Sequence, residues 1–157
     1  MGVIVSELQR HDTIDLDLLS VHFPAHTPVA YILVLGVVHR YRRHGLASYL
    51  LDSLIKHLNN EPNLRKVKAV YLHVLASNKI AIDFYERKLF HQHCFLPRYY
   101  STLLPKCADA FTYVYYINGG YSVNGSYNKA SLLKNLNDLV QKSIEKIIKR
   151  MYYQKTL

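Results

Sequence analysis

An unbroken apolar run, Tyr31 to Val38 (YILVLGVV), breaks into Arg40-Tyr41-Arg42-Arg43-His44-Gly45 and then into a helical pattern; this most constrains the fold. A continuous β-branched run of this length reads as a strand buried on both faces in the middle of a sheet. Gly36 inside it marks a bulge or a close backbone approach. Leu46, Leu50, Leu51, Leu54, Ile55 and Leu58 recur at 3.6-residue spacing, and Asn59 to Asn63, with Pro62, ends that helix. Val67 to Leu75 is a second buried strand, and Ser77 can cap a helix reaching about Lys88. Ahead of the central run, Gly2 to Leu8 is a short β-rich stretch and His11 to Val29 a polar, proline-punctuated connection. His93 to Ser101 and Ala110 to Ile117 read as two further strands, and Asn118-Gly119-Gly120 as a breaker. The order of elements predicts an α/β (α+β) domain, a mixed sheet flanked by helices, with right-handed crossovers in its first two βαβ units.

Composition narrows the function classes. Half the residues are hydrophobic and a fifth charged, which excludes a mostly disordered chain. No apolar run is long enough for a membrane-spanning helix, and Met1 to Arg10 lacks the basic start and cleavage site of a secretory signal. Cys94 and Cys107 form no disulfide framework and have no metal-ligand spacing, so a reduced, cytosolic setting is the default. His91-x-His93 lacks a third nearby ligand, and no metal is expected. The net charge of +9 is uneven: residues 129–157 carry seven basic against two acidic side chains, a net +5. There Leu132, Leu133, Leu136, Leu139, Val140, Ile144, Ile147, Ile148 and Met151 share one helical face, with lysines on the flanks. Such a helix either lies in a membrane interface or packs on its own domain or on a partner protein. The basic residues are not interleaved with aromatics along a strand face, which argues against nucleic acid. Fourteen tyrosines against five phenylalanines and no tryptophan point to clefts where an aromatic body also needs a hydroxyl.

The turn from strand to helix carries the chemistry. A helix N-terminus offers unpaired backbone N–H groups and the positive end of a dipole, and Gly45 and Ala47 are small enough to let an anion reach the backbone. The turn is neither a Walker loop nor a dinucleotide-binding GxGxxG. On residues alone it reads either as an anion cradle or as an ordinary helix start with basic flanks. Tyr31 and His73, on the two central strands, read on residues alone as a strand-edge aromatic and a satisfied core histidine before they read as catalytic groups.

Arg42-x-x-Gly45-x-Ala47 resembles the acetyl-CoA pyrophosphate signature of the GCN5-related N-acetyltransferase (GNAT) superfamily. Asn78-Lys79-Ile80-Ala81-Ile82-Asp83-Phe84-Tyr85-Glu86 resembles its second signature. The strings AYILVLGVV, YLHVLASN, AIDFYE, FLPRYYS and FTYVYYINGG are similar to the Golgi-associated N-alpha-acetyltransferases of the NatF type. The resemblance implies acetyl-CoA as cosubstrate and Tyr31 and His73 as general bases. It places Leu35, Gly36 and Val37 on the thioester and pantetheine arm, and Arg43, His44, Gly45, Leu46, Ala47 and Ser48 around the pyrophosphate. Asn78 would bond the pantetheine amide region, and Tyr85 would protonate the departing thiolate or pack against the cosubstrate, with Glu86, Arg87 and Lys88 close by. Leu33, Tyr99 and Tyr100 would grip the first residues of a peptide. The substrates implied are protein N-termini that retain Met, above all those of membrane proteins, with lysines, including those of histones, as a further class. The same resemblance implies a peripheral protein on the cytoplasmic face of the Golgi membrane, a monomer or homodimer. Family members begin with a strand, two helices and a strand ahead of the segment that here starts at Met1. A partial GNAT domain is therefore expected over residues 1–120, a linker over 121–130 and a basic amphipathic helix over 131–157. The rival expectation is a truncated, catalytically impaired fragment that binds CoA and membranes.

Overall fold

The computed structural model describes residues 1–14, 16–100 and 108–123. The tail helix expected over 131–157 lies outside these residues. Among the described residues five strands and two α-helices run in the order β1 (Gly2–Arg10), β2 (Pro28–Val37), α1 (Leu46–Asn60), β3 (Ala69–Leu75), α2 (Lys79–Arg87), β4 (His91–Leu96) and β5 (Ala110–Tyr116). They form one mixed sheet of order β1-β2-β3-β5-β4. The β2–β3 pair is parallel and its neighbours are antiparallel. The last strand in sequence thus slots between the two that flank α2.

Strand periodicity divides the side chains between two faces. Ala30 and Ile32 of β2, Val70, Leu72 and Val74 of β3, and Tyr113 of β5 pack beneath Leu51 and Leu58 of α1 and Tyr85 of α2. Tyr71, Val114 and Tyr116 project from the other face, where no helix lies among the described residues and the 14–19 segment covers part of it. Leu18 and Leu19 there are fully buried, in a stretch expected to be a polar connection. At the far end of that face Val3, Val5 and Val34 are about half exposed.

Several element ends differ from expectation: β1 runs on to Arg10 instead of Leu8, β2 spans Pro28–Val37 instead of Tyr31 to Val38, and β3 starts at Ala69 instead of Val67. The second helix is capped by Asn78, whose side-chain oxygen accepts the Ala81 N–H at 3.2 Å, and not by Ser77. Asn78 immediately precedes the first helical residue, Lys79, and so occupies the position from which a side chain reaches the third helical N–H. The β4 strand starts at His91 and ends at Leu96, not His93 to Ser101: a register shift between Gln92 and Cys94 bends it, and Arg98 at φ 54° turns the chain away.

A candidate active site at the opening between two parallel strands

The sheet opens where the long apolar run was read. Parallel pairing of β2 with β3 consists of Ala30↔Val70 and Tyr31↔Tyr71 and goes no further, although β2 continues to Val37 and β3 to Leu75. On its other edge β2 stays paired with β1 as far as Gly2↔Val37, through a shift that leaves Leu33 as the extra, exposed residue. Beyond it, the Val38 N–H bonds back to the Met1 carbonyl at 3.0 Å. Because N–H groups alternate sides along a strand, those of Leu35 and Val37 point into the opening. Gly36, which alternates with them, turns its backbone to β1.

The turn beyond β2 is bound to the same opening. Arg42 Nε donates to the Val37 carbonyl at 3.0 Å, and His44 Nδ1 lies 2.7 Å from the Arg42 carbonyl. Arg43 (φ 64°) and Gly45 (φ 79°) are both left-handed, and Gly45 is the N-cap of α1. No side chain caps that end, so the first-turn N–H groups of Leu46, Ala47 and Ser48 have no intrahelical acceptor. The arrangement suits a phosphate.

Aromatic residues ring the mouth of the opening. Tyr31 stacks on Tyr71 with centroids 4.8 Å apart, and His73 lies 5.4 Å from Tyr31, 5.8 Å from Tyr71 and 4.5 Å from Tyr99. Tyr99 meets Tyr100 edge-on at 5.0 Å, and the Tyr100 hydroxyl donates to the His73 carbonyl at 3.4 Å. The Tyr71 hydroxyl bonds Gln9 of β1. Below the ring, His73 Nδ1 is 3.1 Å from Thr112 Oγ1, which Cys94 Sγ also approaches to 3.3 Å. Burial pushes the His73 pKa down to about 4, so the imidazole is neutral at physiological pH. Burial, then the hydrogen bond and charge of Tyr99, raise the Tyr31 phenol well above its usual value. Tyr85, buried between Phe84 and Phe90, is pushed up to about 12, first by burial and then by Tyr100. It keeps its proton.

Tyr31, His73, Tyr99 and Tyr100 therefore come together. Leu35 and Val37 line the β2 side of the opening, Gly36 between them faces β1, and Arg43 to Ser48 follow at its end. Asn78 spends its amide oxygen on the helix cap and keeps its amide N–H donors for other partners. Two of the expected residues are held within the protein: Glu86 accepts from the Tyr113 hydroxyl at 2.8 Å, and Lys88 bridges to Asp52 of α1 at 2.7 Å. Arg87 and Leu33 are exposed. Sequence reasoning missed Tyr71, Thr112 and Cys94, because nothing local says which residues of β4 and β5 lie beside His73. His91 and His93, with Asp17, Tyr116 and Ser122, line a separate cavity of about 390 Å³. Among the described residues no three His, Cys, Asp or Glu side chains are placed to hold a metal.

Comparison with known proteins agrees with this architecture. Residues 7–89 match the acetyltransferase (GNAT) family model, and the chain belongs to that family and has its fold. It is 48% identical over 124 residues to N-alpha-acetyltransferase 60 of Danio rerio, covering 77% of this chain and 50% of that protein. The chain spans about half the length of the curated relatives it matches. Among solved structures it is similar to Arabidopsis thaliana NAA60 in complex with a bisubstrate analogue (TM-score 0.67, 31% identity, 76% of this chain and 66% of that one). The same plant protein in complex with acetyl-CoA superposes at a TM-score of 0.63, with 29% identity over 74% of this chain and 65% of that one.

Proposed function

We propose that this chain is an acetyl-CoA-dependent N-alpha-acetyltransferase acting on protein N-termini that retain Met, above all those of membrane proteins, with lysines, including those of histones, as a secondary acceptor. The observation that carries the reading is the opening past Tyr31↔Tyr71, lined by the Leu35 and Val37 N–H groups and closed at its mouth by His73 and tyrosines.

Acetyl-CoA supplies an activated acetyl thioester. The Leu35 and Val37 N–H groups polarise its carbonyl, and the Arg43 to Ser48 turn holds its pyrophosphate. The substrate α-amine must lose a proton to attack. His73, neutral at physiological pH, accepts it, while Tyr31, whose phenol stays protonated, relays it through water. The C–N bond forms as the C–S bond breaks, and Tyr85 is the protonated group available to the departing thiolate.

Acetyl transfer to a Met-Lys peptide, read as CoA release, tests this. His73→Ala should lower kcat by about 100-fold and Tyr31→Phe by about 10-fold or more. Activity indifferent to both substitutions sinks the mechanism.

A second reading, a fragment that binds CoA without turnover, is favoured by one observation: Val3, Val5 and Val34 stand exposed on the face that carries the site. Calorimetric binding of acetyl-CoA with no transfer would select it. The +5 tail supports a peripheral attachment to the cytoplasmic face of the Golgi membrane. Anionic-vesicle binding should fall when residues 129–157 are deleted, and binding that persists refutes the attachment.

A further inference from the structure

Thr112 lies directly beneath the imidazole that the proposed function uses as a base. It is fully buried, pairs with His73 across β3–β5 and with Cys94 across β4–β5, and its hydroxyl meets both side chains. One hydroxyl carries one proton and two lone pairs, so Nδ1 of His73 either donates to it or accepts from it. In the first arrangement, His73 Nδ1–H donates to Thr112 Oγ1, and the Cys94 thiol either donates to the same oxygen or accepts from the hydroxyl. In the second, the thiol donates to Oγ1 and the hydroxyl donates to Nδ1.

The two arrangements place the proton of the neutral ring differently. In the first, Nε2 keeps its lone pair. In the second, Nε2 carries the proton and Nδ1 is engaged by a buried hydroxyl. In that arrangement neither ring nitrogen has a lone pair free for the substrate's proton. In the first arrangement uptake at Nε2 disturbs nothing. The Nδ1–H bond to Thr112 persists and strengthens once the ring is charged.

We propose that Thr112 is the positioning residue of this site, its Oγ1 accepting the Nδ1–H of His73 so that an unprotonated Nε2 faces the tyrosine cluster. This rests on His73 being the proton acceptor, but the tautomer can be measured without turnover. Long-range 1H–15N correlation on the full chain carrying 15N-histidine should find His73 protonated at Nδ1; protonation at Nε2 overturns the proposal. Thr112→Val keeps the shape and removes the hydroxyl. It should lose the Nδ1–H tautomer and lower kcat about 10- to 100-fold with KM for acetyl-CoA unchanged, while Thr112→Ser restores kcat to within about threefold. A folded Thr112→Val variant with wild-type kcat or tautomer also overturns it. Should Thr112→Val not fold, the tautomer of the wild type and of Thr112→Ser decides the matter. Absence of transfer in the wild type would count against the proposed function and leave the tautomer result standing.

Discussion

Gly120→Ala and Gly45→Ala make the same chemical change for opposite reasons, and the pair tests how this domain is held together. At Gly120 an added Cβ would lie 1.9 Å from the Lys68 carbonyl oxygen and 2.7 Å from its carbon. Neither backbone is free to give. Ile117 N–H bonds the Lys68 carbonyl at 3.0 Å, the Asn118 amide reaches the carbonyls of Val67 at 3.0 Å and Leu58 at 3.3 Å, and Lys68 Nζ bonds the Asn118 carbonyl at 2.7 Å. Moving the 117–120 turn far enough to relieve the contact gives up at least three of these bonds, each worth about 1 kcal/mol net, so a loss of about 3–4 kcal/mol is expected. In a chain of this size that lowers Tm by about 6–16 °C. At Gly45 the added Cβ meets nothing within 4 Å, and the cost is only that of holding alanine at φ 79°, about 1 kcal/mol and about 2–4 °C. The functional effects reverse: the Cβ of Gly45→Ala stands where an anion would approach the backbone before α1 and weakens acetyl-CoA binding, whereas Gly120→Ala leaves the folded fraction's affinity alone. Thermal melts and calorimetric titration of the two variants decide it. If Gly120→Ala melts within about 3 °C of wild type, the account of the 117–120 turn as a lock is wrong.

Tyr113→Phe removes the 2.8 Å bond to Glu86 between β5 and α2; the expected loss is about 0.5–1.5 kcal/mol by denaturant unfolding. Lys88→Met breaks a half-exposed ion pair with Asp52 and should cost under about 1 kcal/mol, less at high salt; a rise in the dissociation constant for acetyl-CoA would show instead that Lys88 serves the cosubstrate. His73 should titrate by NMR with a midpoint near 4 instead of the ordinary 6.5. Because burial lowers its folded pKa, the unfolded chain takes up that proton first, so stability should fall as pH drops from 6.5 towards 4. A midpoint at or above 6.5 contradicts the burial.

Much of this was legible because it is local. The Tyr31 to Val38 run has no alternation and reads as a central strand; β2 is one, but Leu33 and Val34 are about half exposed where β3 parts from it, so it is not buried along its length. The boundaries went wrong where neighbouring residues offer equivalent chemistry: Ser77 and Asn78 are both good caps, and geometry chose the second. Leu18 and Leu19 were missed although Ile14, Leu16 and Leu18 alternate with Asp15 and Asp17, because the aspartates and following prolines made the segment read as a polar connection; the sheet face above Tyr71 and Val114 gives them a place to bury. The slot that β5 takes between β3 and β4 is decided by pairing across the sheet, which leaves no mark within a single strand. Thr112 was lost with it.

That slot also determines what holds the proposed base in place. Tyr71 and His73 share a face of β3 because side chains alternate, while Leu72 and Val74, which alternate with them, pack under the helices. A slip of one residue would push the imidazole into the apolar core and turn Leu72 out to the tyrosines. The parallel partner β2 guards against this poorly, since it pairs with β3 only at Ala30 and Tyr31 and must stay apart beyond them to leave the opening. The antiparallel partner β5 pairs with β3 from Ala69 to Leu75, and its Thr112 meets the histidine side chain itself. The strand that opens the cleft and the strand that fixes the register are therefore different. Parting β2 from β3 need not loosen His73, which lets one sheet be open to a long cosubstrate and rigid at its base.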